Sequence, residues 1–401
     1  MRMRNRNLRR YILEVVIIIL FVVIVFFIYQ QINNVYMEKK QVFYQKKEAK
    51  MFQFIEYEKE WIKENQGSKG EIYLNIVGQE NGALDVNPYF ACLGAKGLLA
   101  GNVSDEDLRA VASYLSWNAE VLIENEGVVS NYRYIENKLE PTGSYDSVDA
   151  YLAVFLSLYG DYAASGGSID DIPNGRRAVE LAVWKLTDLT QNGLTKVSED
   201  NQTYYLMDNV EVHEALLSLE TMLQTGPEAF YLQVKNLRKE CANAIKNGLW
   251  NEERQRYEIG NNADGSTITF QGYEQIYPDA LAQIYPMVCG YILDTGQEED
   301  ILFQTFYEYY DWTQDRQEKE ILEWPVVAYA AVTQGEIEVA ENYLEQYRQI
   351  HENNREYPFH IADAAWAARA ASQLINSYKE AANISLKNDL RNGNWRKIIY
   401  E

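Results

Sequence analysis

Apolar positions recur with a helical period from about residue 87 to the C-terminus, and the stretches alternate between two kinds. One kind is amphipathic. Phe230, Val234, Leu237, Cys241 and Ile245 form a single stripe, with Lys235, Arg238, Lys239 and Lys246 off it. Ile337, Ala340, Leu344 and Tyr347 repeat that pattern. Amphipathic helices are predicted at 105–124, 176–189, 227–247, 298–312 and 336–351. The other kind is apolar on most sides and rich in Ala, Leu, Tyr and small residues. It is predicted at 87–99, 146–164, 208–223, 278–293, 324–334 and 361–375. A helix that is apolar all round is a buried one. Alternation of the two predicts helical hairpins with six inner and five outer members. The sixth outer helix is expected from the stalk before the domain or from the tail around 376–387.

The turns carry a second pattern. Helical stretches end at Asn125-Glu126-Gly127, Asn192-Gly193 and Asn247-Gly248. Acidic helix starts follow: Tyr145-Asp146-Ser147-Val148-Asp149, Met207-Asp208-Asn209-Val210-Glu211 and, after an insertion, Tyr277-Pro278-Asp279. A hairpin repeated at this period suggests a closed or superhelical array, in which alternate helices point the same way. The acidic starts then gather at one end. The insertion reads as a rim β-hairpin, with strands at 256–259 and 267–270 and an Asp264-Gly265 turn. A short strand-like piece is expected at 71–75. Gly296 and Gly335 read as turn glycines.

The first 50 residues differ from the rest. Five arginines fall between Arg2 and Arg10, and Tyr11 to Tyr29 is apolar except for Glu14. About 20 such residues span a bilayer, and the arginines would hold the N-terminus in the cytoplasm. A cleaved signal peptide is the rival reading. The run is longer than a usual signal core, and Gln30-Gln31-Ile32-Asn33-Asn34 has no small-x-small cleavage site. The expected order is a basic N-terminus (1–10), an anchor (11–29), a juxtamembrane stalk (30–67), a helical domain (68–390) and a tail (391–401).

Residues 1–50 carry ten Lys/Arg and three Glu, a net +7 within a chain of −22, so everything beyond carries −29. Such a domain is a poor partner for nucleic acid or anionic lipid. Cys92, Cys241 and Cys289 are too few and too far apart for a disulfide framework or a zinc site. With His213, His351 and His360 as the only histidines, no metal and no cofactor is expected.

Asn87-Pro88-Tyr89-Phe90-Ala91, the run from Asp146 to Leu158, Tyr205 to Val212, and Tyr277 to Gln283 together resemble the six-hairpin glycosidase superfamily, over roughly residues 70–380. The Asp-x-x-Asp-Ala stretch is similar in type to a central helix opening of family-8 glycoside hydrolases. The resemblance implies an all-α (α/α)6 toroid whose enzymes cleave or rearrange glycans at the centre of the barrel.

Asp146/Asp149 and Asp208/Glu211 share a spacing of three at helix starts. Locally each pair reads as a capping box, with the first acid at N-cap and the second at N3. Functionally they read as the two carboxyl groups that glycoside hydrolysis needs. Glu211 and Asp149 are the expected acid/base pair, with Asp146 and Asp208 orienting sugar or water. Sugar-binding positions are expected at Asn87, Tyr89, Tyr145, Tyr151, Asn209, Tyr273, Tyr277, Asp279, Trp324, Asp363 and Trp366. Aromatic rings stack on the apolar faces of sugars, and polar groups read their hydroxyls. As core or cap residues, Tyr151 and Trp366 would fill the interior, and Asp279 and Asp363 would hold backbone. His213 and His360 read as satisfied core or rim histidines. The functional expectation is a single-pass membrane protein with an extracytoplasmic toroid that hydrolyses a polysaccharide. A silent glycan-binding scaffold of an envelope-polysaccharide export system, or a lyase or epimerase on the same fold, are the alternatives.

Overall fold

The computed structural model describes residues 2–76, 84–136, 138–293, 297–313, 319–384, 386–392 and 398. Gly296 and most of the expected tail lie outside them. The chain divides into two units, Met1–Met51 with Ile375–Glu401, and Phe52–Leu374.

Helix α1 (Arg2–Glu64) opens the chain. Five hairpins follow it: α2 (Pro88–Leu98) with α3 (Asp105–Glu124), α4 (Val148–Ala164) with α5 (Gly175–Leu189), α6 (Leu206–Met222) with α7 (Glu228–Gly248), α8 (Leu281–Val288) with α9 (Gln297–Tyr309), and α10 (Val326–Thr333) with α11 (Ile337–His351). Then come α12 (Ile361–Ala382) and α13 (Leu386–Asn392).

Within Phe52–Leu374 the even-numbered helices form the inner ring. α4 buries every residue from Val148 to Gly160, and α12 turns a run of alanines inward, Ala364 to Ala371 among them. Small side chains let the inner helices approach closely. A Cβ on Gly160 would stand 2.5 Å from Ser218 Cβ, and one on Gly97 would stand 2.6 Å from Ala365 Cα. The odd-numbered helices form the outer ring. α3 starts where its sequence says, because Ser104 and Asp107 make a reciprocal capping box.

The sixth outer helix is the end of α1. Phe54 meets Tyr347 of α11 with centroids 6.1 Å apart, and Trp61 meets Phe359 at 5.0 Å. Lys59 pairs with Asp107 of α3 at 2.6 Å, and Arg355 with Glu58 at 2.8 Å. The stalk therefore supplies the missing helix, and the domain start expected at residue 68 falls inside the compact unit, which begins at Phe52. The pattern hid this because α1 runs unbroken through residues 30–64, with no turn to announce a new element.

Three-stranded sheets decorate the rim. Asp85–Val86, Tyr132–Ile135 and Lys138–Pro141 form one that the sequence reading did not anticipate. The expected hairpin is present but shifted. Gly260–Asn261 pairs with Thr267–Ile268, and Gly265 at its tip has φ +81°. Arg256–Tyr257 pairs instead with Trp250–Asn251. Residues 71–75 contribute only an isolated bridge between Ile72 and Gln66. Asn192 and Gly193 both have positive φ and link Thr190–Gln191 to Leu194–Thr195, a tight hairpin turn. Gly335, at φ +78°, is the turn glycine expected.

In the other unit Lys40 Nζ lies 2.5 Å from Asp389 Oδ2, which also accepts the Tyr36 hydroxyl at 2.9 Å. Residues 10–29 of α1 are exposed, and this helix is long and apolar enough to cross a membrane.

Candidate active site

The inner helix starts surround a cavity of about 1110 Å³. Where each acidic residue stands is decided by where the helices begin. α6 begins at Leu206, because Tyr204–Tyr205 pairs with the rim strand Gly260–Asn261 and Leu206 N donates to Ile259 O at 2.9 Å. Asp208 is thus at N3 and Glu211 three residues deeper. α4 has Ser147 as N-cap, which places Asp146 before the helix and Asp149 at N2. The two pairs share a spacing but sit about one helical turn apart in depth from their helix starts. Neither is the expected capping box.

Glu211 lines the cavity. Its Oε1 accepts the Tyr89 hydroxyl at 2.7 Å and the Tyr285 hydroxyl at 2.6 Å. Burial pushes this carboxyl up to about 8, against the two phenol bonds that favour its ionised form. With both donors on Oε1, Oε2 is left to carry the proton.

Asp146 and Asp208 line the same wall. Asp146 is exposed and accepts Ser147 N at 2.9 Å. Asp208 Oδ2 and Asp149 Oδ1 both lie against one hydroxyl, Ser147 Oγ, at 2.6 and 2.7 Å. A hydroxyl has one proton, so it can donate to only one of them and must accept from the other. The pair therefore holds a proton of its own. Burial and the neighbouring Asp149 push Asp208 well above the usual carboxylate range.

Asp149 does not reach the cavity. It is fully buried, its Oδ2 accepts Thr195 Oγ1 at 2.8 Å and its Oδ1 accepts Ala150 N at 3.0 Å. It turns away because Thr195, at the end of a short hairpin, offers it a partner outside the ring. Five of the expected sugar-binding residues are likewise structural. Asn209 holds Thr195 N and O and Tyr205 O. Asp279 accepts Gln271 N at 2.6 Å. Tyr151 is buried on Asn118 Oδ1, and Asn87 caps α2. Tyr273 packs between Phe270 and Tyr309.

Tyr89, Tyr145, Tyr277, Trp324, Asp363 and Trp366 do line the cavity. Tyr277 and Trp324 lie parallel, 5.8 Å between centroids and 5° between planes. Asp363 is also a cap, accepting His360 N at 2.9 Å. His360 lines the cavity and packs on Phe90 at 4.7 Å, whereas His213 is a core residue against Tyr291. Tyr285 was missed. It sits inside α8 without a distinguishing neighbour, and only the ring brings it to Glu211.

No protein-family model and no curated protein matches the chain. Solved structures do. A metal-independent α-mannosidase of Streptococcus pneumoniae, in a non-productive complex with α-1,6-mannobiose, superposes with a TM-score of 0.53 at 12% identity, over 86% of this chain and 98% of the other. An α-1,6-mannanase of Salegentibacter with α-1,6-mannotetrose gives 0.52 at 10%, over 82% and 99%. An α-amylase from Clostridium perfringens gives 0.52 at 13%, over 82% and 97%. The chain has the six-hairpin glycosidase fold. In this (α/α)6 toroid the inner helix starts of α4 and α6 bring three carboxyl groups to one wall.

Replacing Tyr285 by Phe removes one of the two donors that favour ionised Glu211. Glu211 should then titrate above its present value of about 8. A pH–rate profile should show the alkaline limb moved upward, at a stability cost of about 1 kcal/mol. An unmoved limb would separate this tyrosine from the proton it is argued to control.

Proposed function

We propose that the protein is a membrane-anchored glycoside hydrolase whose toroid acts outside the cytoplasm on a cell-envelope or exported polysaccharide. The observation that carries this reading is the wall of Asp146, Asp208 and Glu211 in an aromatic cavity. Hydrolysis needs one carboxyl group to protonate the leaving oxygen and a second to assist the attacking oxygen. Glu211, held protonated near neutral pH by its burial, supplies the first role. Asp146, exposed to the cavity beside it, supplies the second. Asp208 orients a sugar hydroxyl. The pair expected from the sequence, Glu211 with Asp149, is withdrawn.

The retreat of Asp149 from the cavity favours a second reading, a glycan-binding scaffold that has lost catalysis. Incubation of the full chain in detergent with a polysaccharide panel separates the two. The panel includes α-1,6-mannan, because two structural neighbours are complexed with α-1,6-linked mannosides. Release of shorter sugars, detected by mass spectrometry, supports the hydrolase. Retention of a glycan without any cleavage leaves the scaffold.

The arginine-flanked helix supports an anchor with the N-terminus in the cytoplasm. Protease added to intact cells should then degrade the toroid. Protection until the cells are lysed would sink the proposed topology.

A further inference from the structure

The cavity is acidic well beyond the wall formed by α4 and α6. The segments leading into α10 and α12 contribute Glu323 and Glu356, the first turn of α12 contributes Asp363, and the loop before α6 contributes Asp200. In a ring of six, α10 stands opposite α4 and α12 opposite α6. Carboxyl groups therefore face the cavity from both sides. Among the described residues no lysine or arginine lines it. The whole chain has 59 acidic residues but also 37 Lys/Arg, so an acidic composition alone would not strip the lining of cations.

Of these added carboxylates Asp363 is held by His360, whereas the other three are not occupied by the protein. Asp200, Glu323 and Glu356 are exposed, and their carboxylates make no hydrogen bond or ion pair among the described residues. Among the described residues no three acids or histidines gather closely enough to hold a metal ion. The carboxylates are spread along the cavity, as a ligand with several separate positive charges would require.

The walls add a second preference. The parallel pair Tyr277 and Trp324 and the ring of Trp366 offer flat faces to sugar rings and to cations. A uronic or sulfated glycan would meet like charge on both sides. A neutral glycan would leave desolvated carboxylates without a countercharge.

We propose that the glycan this cavity takes is an amino-sugar polymer carrying unacylated, positively charged amino groups. The proposal deepens the glycoside-hydrolase reading and rests on it for the site. Each ammonium group donates to carboxylates such as Glu323 and Glu356, while the sugar rings stack on the aromatic walls.

Calorimetric titration of the full chain in detergent tests it with matched oligosaccharides. Glucosamine pentamers linked β-1,4 or β-1,6, and galactosamine pentamers linked α-1,4, are each prepared fully deacetylated and fully N-acetylated. At least one deacetylated member should bind about tenfold or more tighter than its acetylated partner in low salt. That preference should shrink as salt rises from about 50 to about 500 mM. The double variant Glu323→Gln, Glu356→Gln should lower the preference several-fold with an unchanged unfolding midpoint, since both residues are exposed. The proposal is overturned if acetylated members bind as tightly, if no member of any pair binds, or if the double variant keeps the full preference. Ammonium-selective binding without cleavage would sink the hydrolase reading alone. Cleavage of an uncharged glycan with no ammonium preference would sink this proposal alone.

Discussion

Glu211→Gln should lower hydrolysis by about two orders of magnitude or more and leave the fold intact. Gln keeps an oxygen acceptor for the Tyr89 and Tyr285 hydroxyls, so the wall retains its shape. It loses only the transferable proton. The stability effect has a sign that can be worked out. Folding raises Glu211 from its ordinary 4.5 to about 8. Between those values the unfolded chain has released the proton and the folded chain still holds it. The folded state binds more protons, so stability falls as pH rises through this window. The variant has no such group, and its stability should fall less between pH 5 and pH 8 than that of the parent. Activity of the parent should decline above about pH 8, as the donor loses its proton. Asp149→Asn is the control. Asp149 lies outside the cavity, so its loss should cost about 1 kcal/mol of hydrogen bonding and far less activity. If Asp149→Asn abolishes turnover as completely as Glu211→Gln, Asp149 and not Asp146 is the partner of Glu211.

Lys96→Met should destabilise the toroid strongly, at about 3 kcal/mol. Lys96 is 1% exposed in the inner helix α2. Its ammonium donates to Ser157 Oγ at 2.6 Å and Glu214 Oε1 at 2.9 Å, and stands 3.3 Å from Asp161. Burial alone would push this lysine down, but Asp161 and Glu214 outweigh it and hold it above its ordinary value. Arg369, over the ring of Trp366 at 4.2 Å, lies 3.9 Å from the same Glu214. Two cations and two carboxylates thus join α2, α4, α6 and α12 in one cluster, with Lys96 buried and the two carboxylates partly exposed. Removing Lys96 leaves the carboxylates facing each other with a single countercharge. Lys96→Met with Glu214→Leu removes both partners and should recover much of the loss, because a buried pair replaced by apolar side chains is often near neutral. Denaturant titration of the full chain in detergent, followed by tryptophan fluorescence, measures both. A loss below about 1 kcal/mol for Lys96→Met would show the cluster to be solvated and dispensable.

What could be read before folding were features whose cause lies within one turn of helix. The boundaries of α3 match the reading residue for residue, because Ser104 and Asp107 cap it locally. The stripe of α7 and the all-round apolar faces of α4 and α12 state which side each helix buries. The apolar length of residues 11–29 states that it can span a bilayer, without any partner. The gathering of acidic helix starts at one end also follows from alternation alone. Where a residue's place depends on a distant one, the sequence was silent or misleading. Asp146/Asp149 and Asp208/Glu211 have equal spacing, but α6 takes its start from Ile259, 53 residues on, and the second pair lies about one turn deeper in its helix than the first. That difference turned Asp149 into a buried anchor and put Asp208 on the cavity wall. The sixth outer helix was hidden within α1 because residues such as Tyr347, Arg355, Phe359 and Asp107, brought around by closure of the ring, give residues 54–61 a surface to pack on. Local periodicity and capping act over three or four residues and leave a mark in the sequence. Strand pairing, ring closure and charge compensation act between residues far apart in the chain, so only the folded toroid decided them.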